Sequence, residues 1–146
     1  MRASDACLAI IKEAEGFRDK WYLDENDGWT IGYGHLRKPG DNFEEVTELE
    51  AEELLKKDVG WAEDCINHYV QVPLSQGQFD ALVDFVYNVG PHAFLESTLL
   101  RLLNRGAYDA AAKQFGRWIY DDGKVEQGLV KRRTRETALF LQEATV

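Results

Sequence analysis

Apolar positions recur at helical spacing through most of this chain, and the exceptions are confined to one short stretch. Leu8, Ile11 and Glu15 stand at i, i+3 and i+7, on one stripe. They predict a helix from about Ser4 to Glu15, with Ser4 or Asp5 as N-cap and Gly16 as its stop. The period then shortens. Trp21 to Leu23 and Trp29 to Ile31 are aromatic and β-branched runs on either side of Asn26-Asp27-Gly28, which predicts a hairpin. Gly32 to Asn42, with Gly34, Pro39 and Gly40, predicts turn or loop.

Helical spacing then returns. Thr47-x-x-Glu50 is a capping box, and Ala51, Leu54, Leu55, Ala62, Cys65, Ile66 and Tyr69 continue one periodic pattern to the end of a long helix. Val72-Pro73 breaks the chain. Ser75-x-x-Gln78 opens the next helix, with Phe79, Leu82, Val83 and Val86 on one face, and Gly90-Pro91 closes it. Further helices are predicted near Ser97 to Asn104, Tyr108 to Ile119 and Val130 to Gln142. The fold class is therefore α+β, mainly α, in one domain over residues 1–146. A small N-terminal lobe with a hairpin (about 1–46) and an all-helical C-terminal lobe (about 70–146) are joined by a long helix (about 47–69). A cleft between two such lobes is a common ligand site.

Composition narrows the function. At 45% hydrophobic and 29% charged residues, the chain is expected to be a soluble globular protein, and no apolar run is long enough to span a membrane. Met1 to Asp5 lacks the basic-then-apolar pattern of a signal peptide, so any export is expected to use another route, unless the chain is a piece of a longer protein. A net charge of -9 argues against a nucleic-acid partner. The charge is uneven: Asp41 to Asp64 is strongly acidic, whereas Lys131, Arg132, Arg133 and Arg135 form a basic cluster. Cys7 and Cys65 fall among apolar residues, which suggests buried free thiols, with a single disulfide as the alternative. His35, His68 and His92 lack metal-ligand spacing, so neither metal nor cofactor is expected.

Two carboxylates remain as candidate chemistry. Glu15, unlike Glu13, falls at the edge of the buried helical stripe, where burial disfavours ionisation and raises the pKa. A carboxylic acid still protonated near neutral pH is what a glycosidase requires as proton donor. If Asn26-Asp27-Gly28 is a three-residue loop with Gly28 left-handed, Glu25 pairs with Trp29 and Asp24 with Thr30, setting a carboxylate beside a hydroxyl. Two carboxylates flanking a sugar bond are the minimum for glycoside hydrolysis. The competing readings are a helix-end glutamate paired with Arg18 and an aspartate serving its turn.

Glu15-Gly16-Phe17-Arg18, then Tyr22 and Asp24, then Gly28-Trp29-Thr30-Ile31-Gly32-Tyr33-Gly34-His35 resembles the signature of the phage-type lysozymes, glycoside hydrolase family 24. Phe85 to Gly90, Phe94 to Leu99, Trp118 and Gly128 to Arg133 with Glu136 follow the same family order, so the resemblance covers nearly the whole chain. It implies a lysozyme-like fold and cleavage of the β-1,4 bond between N-acetylmuramic acid and N-acetylglucosamine in peptidoglycan. Glu15 would protonate the leaving oxygen, and Asp24 with Thr30 would activate a water on the opposite face. That is inversion; retention with Asp24 as nucleophile is the alternative. Substrate contacts are expected from Leu36, Tyr87, Asn88, Ser97 and Thr98, with core packing and capping as their competing roles. His35 is expected to be structural, and Arg132 and Arg133 to anchor the last helix to acidic neighbours. The expected partner is the glycan strand, met by a monomer at the periplasmic or extracellular wall after release by a holin or another route. The rival functions are a lysozyme-like module that binds peptidoglycan without cutting it, and a helical interaction protein with an acidic face.

Overall fold

The structure, a computed structural model, describes residues 1–25 and 27–142. The chain opens with α1 (Asp5–Glu15), whose inward residues Cys7, Leu8, Ile10 and Ile11 are buried. Ser4 takes the extended N-cap conformation, but its side chain does not cap α1. Its hydroxyl donates to Asp80, and its N–H donates to Asp80 Oδ1 at 3.0 Å. The Ala3 N–H donates to Glu63 Oε2 at 2.6 Å. Buried carboxylates from elsewhere in the fold thus take the place of a local cap. Gly16 ends the helix at a φ of 73°.

Next come β1 (Arg18–Asp24), β2 (Gly28–Gly32) and β3 (His35–Leu36), antiparallel in the order β1-β2-β3. The third strand was not expected: Ile31 pairs with His35 and Thr30 with Leu36, inside the stretch read as loop. The hairpin register also differs. Tyr22 faces Thr30, Leu23 faces Trp29 and Asp24 faces Gly28, so Asp24 is not opposite Thr30. Gly28 has the expected positive φ, 93°, but as the first paired residue of β2 rather than in the loop. Asn26, the first residue of the expected turn, lies outside the described residues. Because side chains alternate with a period of two, this two-residue displacement leaves Asp24, Tyr22 and Thr30 on one face of the sheet.

Beyond the sheet, α2 (Glu48–Asp58) and α3 (Gly60–Tyr69) occupy the stretch expected as a single helix. The Thr47/Glu50 box forms in full, with bonds of 2.9 and 3.1 Å. The helix is interrupted at Val59, whose ψ of -10° departs from helical values immediately before Gly60, a residue of low helix propensity. Ser75 and Gln78 form the second box, opening α4 (Gln76–Val89). Gly90 ends α4, and Pro91 at once begins a short helix, α5 (Pro91–Leu95). Then come α6 (Thr98–Asn104), α7 (Tyr108–Ala112) and a 3-10 turn over Phe115–Arg117.

The expected helix to Ile119 stops early, and β4 (Tyr120–Asp121) and β5 (Lys124–Val125) form a hairpin in a lobe expected to be all-helical. Asp122 and Gly123 both take positive φ, 52° and 77°, the demand of a two-residue hairpin turn. The last helix, α8 (Gln127–Leu141), starts three residues before the expected Val130 because the Glu126 carboxylate caps the N–H groups of Gly128 and Leu129 at 3.0 and 2.8 Å.

Two apolar cores result. The smaller holds Ile31, Val46 and Ala51, with Phe17, Trp21, Phe43 and Leu54 packed against it. The larger runs through Phe79, Leu82, Phe85, Phe94, Leu99, Phe115 and Phe140. Helix α1, placed with the small lobe by chain order, packs with the larger core through Cys7, Leu8 and Ile11. Helices α4 and α8 meet almost backbone to backbone: a Cβ at Gly77 would lie 2.6 Å from the Leu139 carbonyl oxygen. Cys7 and Cys65 are both buried and free, not disulfide-bonded.

Candidate active site

Glu15 is the last residue of α1, so its direction is set by a helix fixed in the larger core. It lines a cleft of about 300 Å³ together with Asp27, Gly34, Leu36, Lys38, Asp58, Trp61, Tyr87 and Asn88. Solvent reaches 32% of its side chain. Burial pushes its carboxyl above the usual carboxylate range; Arg132 opposes this, while Asp27 and Asp84 add to it. Gly34 is part of the reason for the burial. A Cβ there would stand 3.0 Å from Glu15 Oε2, and the residue has a φ of 85°, so the chain turns close against the carboxyl on a backbone conformation that favours glycine. Glu13, two residues earlier, points away to the surface, where it pairs with Lys131 at 3.4 Å and with Arg135.

Asp24 ends β1, and its Oδ1 accepts the Asp27 N–H at 3.1 Å, so it does serve its turn. Thr30 is buried and its hydroxyl donates to the Gly28 carbonyl at 3.0 Å, which leaves oxygen lone pairs to accept. The Tyr22 hydroxyl is raised first by burial, then by Asp24, with smaller contributions from Glu15 and Asp27, so it senses carboxylates from α1 and from the hairpin together. Arg18 does not pair with Glu15; its guanidinium lies over the Tyr22 ring, 4.6 Å from the centroid.

The expected substrate contacts divide. Leu36, Tyr87 and Asn88 line the cleft with Glu15. Ser97 and Thr98 do not. Ser97 is buried as the N-cap of α6, its hydroxyl accepting from the Leu100 N–H at 3.1 Å and donating to the Phe94 carbonyl at 2.7 Å. Thr98 is exposed, and its hydroxyl accepts from Arg101 at 2.9 Å. Sequence reasoning missed Trp61. It is 41% exposed in the cleft wall and stacks on Tyr87, with ring centroids 5.8 Å apart and planes at 21°. Its signal was an aromatic residue off the apolar stripe of its helix.

Around these residues stands a polar frame. His35 bridges Asp58 Oδ2 at 2.7 Å and Asp41 Oδ2 at 2.9 Å, so it ties β3 to α2 and to the intervening loop. Burial opposes ionisation of Asp41, but bonds from the Lys38 N–H and from His35 hold its carboxyl below the usual range. Behind Glu15, Arg132 grips Asp84 through three contacts of 2.8 to 3.2 Å. Arg133 reaches Asn88 Oδ1 at 2.5 Å and Glu136 at 2.9 Å. Both arginines thus anchor α8 to acidic and polar neighbours. Among the described residues no group of three or more His, Cys, Asp or Glu side chains could hold a metal ion, and no helix is long and apolar enough to cross a membrane.

Comparison with known proteins bears on this arrangement. The phage lysozyme family model matches residues 12–136. The chain is 43% identical over 145 residues to the endolysin of Salmonella phage P22, covering 97% of this chain and 99% of that protein. It is 43% identical over 143 residues to the endolysin of Bacillus phage B103, covering 97% of this chain and 54% of that protein, so it spans about half the length of that relative. The solved structure of a P22 lysozyme mutant superposes with a TM-score of 0.88 at 40% identity, over 97% of this chain and 99% of that one.

Proposed function

The chain belongs to the phage lysozyme family, and from that premise we propose that it hydrolyses the β-1,4 bond between N-acetylmuramic acid and N-acetylglucosamine in bacterial peptidoglycan. The observation that carries the reading is Glu15: a carboxyl pushed up by burial, presented to a glycan-sized cleft from the end of a rigid helix. Such a group holds its proton until the leaving oxygen takes it. Asp24, on the hairpin, is the second carboxylate. With the Thr30 hydroxyl oxygen as acceptor, it holds and deprotonates a water that attacks from the other face of the sugar, inverting the anomeric centre. The Trp61–Tyr87 stack and Leu36 offer an apolar surface to a pyranose face, and Asn88 offers an amide to an N-acetyl group.

The enzyme works as a monomer on the glycan of the periplasmic or extracellular wall, without a metal or cofactor. Its net charge of -9 is unsuited to nucleic acid. Mass spectrometry of digested peptidoglycan tests the reading. Reducing N-acetylmuramic acid ends are expected; anhydro ends would mean an intramolecular attack in place of water, and intact strands would mean binding without cleavage.

A further inference from the structure

One group behind the cleft has no part in the scheme above. Asp84 is fully buried on α4, in the apolar run Leu82-Val83-Asp84-Phe85-Val86. A carboxylate there is costly unless something engages it. Arg132 does so with one whole edge of its guanidinium. Its Nε lies 3.2 and 3.1 Å from the two Asp84 oxygens, and its Nη2 lies 2.8 Å from Oδ1. The remaining nitrogen, Nη1, stands 3.7 Å from Glu15 Oε1, within ion-pair range but beyond a hydrogen bond. An arginine free to close on a carboxylate makes two parallel bonds of about 2.8 Å and favours its ionised form.

We propose that Asp84 is a positioning residue for the acid: by occupying the Arg132 fork and balancing its charge, it keeps that guanidinium from closing on Glu15, so that Glu15 retains the proton it must donate. This rests on Glu15 being the acid of the proposed hydrolase. The neighbouring groups fit. Glu136, also fully buried, is pushed well above the usual carboxylate range by burial and then by Asp84. Asp84 is held low despite its burial, by Glu136 and Arg132. With Glu136 pushed up and Asp84 held low, the negative charge of the pair is favoured on Asp84, facing Arg132. Among the described residues, the titratable groups that face Glu15 are Tyr22 from β1, Asp27 from the hairpin loop, Asp84 and Tyr87 from α4, and Arg132 from α8, with Lys38 and Asp58 lining the same cleft. Arg132 is the cation that draws Glu15 most strongly toward ionisation, so what governs Arg132 bears directly on the acid.

The test is a titration of the Glu15 side chain by carbon NMR, assigned by difference with Glu15→Gln, alongside the pH profile of cell-wall lysis. Asp84→Asn is expected to lower the Glu15 titration by about one pH unit and to move the high-pH limb of lysis down with it. Glu136→Gln leaves the Arg132–Asp84 contacts intact and should leave both in place. Arg132→Gln should raise the Glu15 titration. Adding Asp84→Asn to Arg132→Gln should then lower it by less than half the fall seen in the wild-type background. An unmoved titration in Asp84→Asn, or an equal fall in both backgrounds, overturns the proposal. If Asp84→Asn alone does not fold, an unmoved titration in Arg132→Gln overturns it instead. A Glu15 titration that shifts as stated in a protein that releases no muropeptides would leave the control of Glu15 by Asp84 standing and remove the hydrolase reading that gives it a purpose.

Discussion

The two cores of this protein are built on different principles. The larger is held by interlocking aromatic rings: Phe85 packs edge-on against Phe94, Phe115 and Trp118, with centroids 5.3 to 6.5 Å apart. The smaller, among the described residues, has three buried apolar residues and depends on polar clasps for its shape. His35 sits between Asp41 and Asp58, and the Trp21 indole donates to the Phe43 carbonyl at 2.8 Å. The contrast matches the division of labour proposed for the site. The acid projects from the rigid part, where its environment is fixed by packing, and the water-holding pair sits on the sheet, where placement depends on directional bonds.

The largest effect should come from the acid itself. Glu15→Gln is expected to reduce peptidoglycan hydrolysis by about a thousandfold or more while leaving the circular dichroism spectrum and melting temperature nearly unchanged. Loss of folding in that variant would mean that Glu15 belongs to the structural framework. Next, Phe85→Ala should cost about 3–5 kcal/mol in denaturant unfolding, felt by every element. Ile31→Ala in the smaller core should instead release amide protection in β1, β2 and β3 before α4 or α8 exchanges, with lysis lost first. Simultaneous exchange of both parts would show that the two cores form one cooperative unit.

Gly34→Ala should displace the Glu15 carboxyl, because the new methyl meets it at 3.0 Å on a strained backbone; a clear fall in turnover with a modest loss of stability is the expected pattern. The smallest effect concerns the clasp. The Asp41 carboxyl is held low in the folded state, so its contribution is fully present above the unfolded pKa, near 3.8, and is lost as pH falls through the lower folded value. Asp41→Asn should therefore cost about 1 kcal/mol at neutral pH, with the difference from the wild type disappearing in acid. A difference that persists in acid strong enough to protonate the folded-state carboxyl would point to packing rather than charge.

What could be read from the sequence, and what could not, follows the range of each interaction. The boxes at Thr47 and Ser75 were legible because a cap is complete within four residues. Ser97 follows the same logic: it precedes the run Leu99-Leu100, and capping, one of the competing roles its sequence offers, is what it does at the start of α6. The hairpin was legible but its register was not: Gly28 was placed in the loop by its tolerance of positive φ, and the structure uses that tolerance inside a paired strand. The β4–β5 hairpin has a local signal, Asp122-Gly123, but it stands among helical patterns on both sides. Glu15 could be singled out from Glu13 by phase alone, whereas the grip of Arg132 on Asp84 joins residues 48 positions apart, and no spacing rule reaches that far.

The missing side chain at Gly77 has a consequence well away from its own position. Because α4 and α8 touch there, with a would-be Cβ only 2.6 Å from the Leu139 carbonyl oxygen, the separation of the two helices is set by backbone atoms. Arg132 lies seven residues upstream of Leu139, about 10 Å along the same helix. A methyl at position 77 would act on that helix as on a lever, tilting the far arm and with it the guanidinium. The acidity of a group in the cleft is thereby exposed to one hydrogen atom that no substrate ever meets.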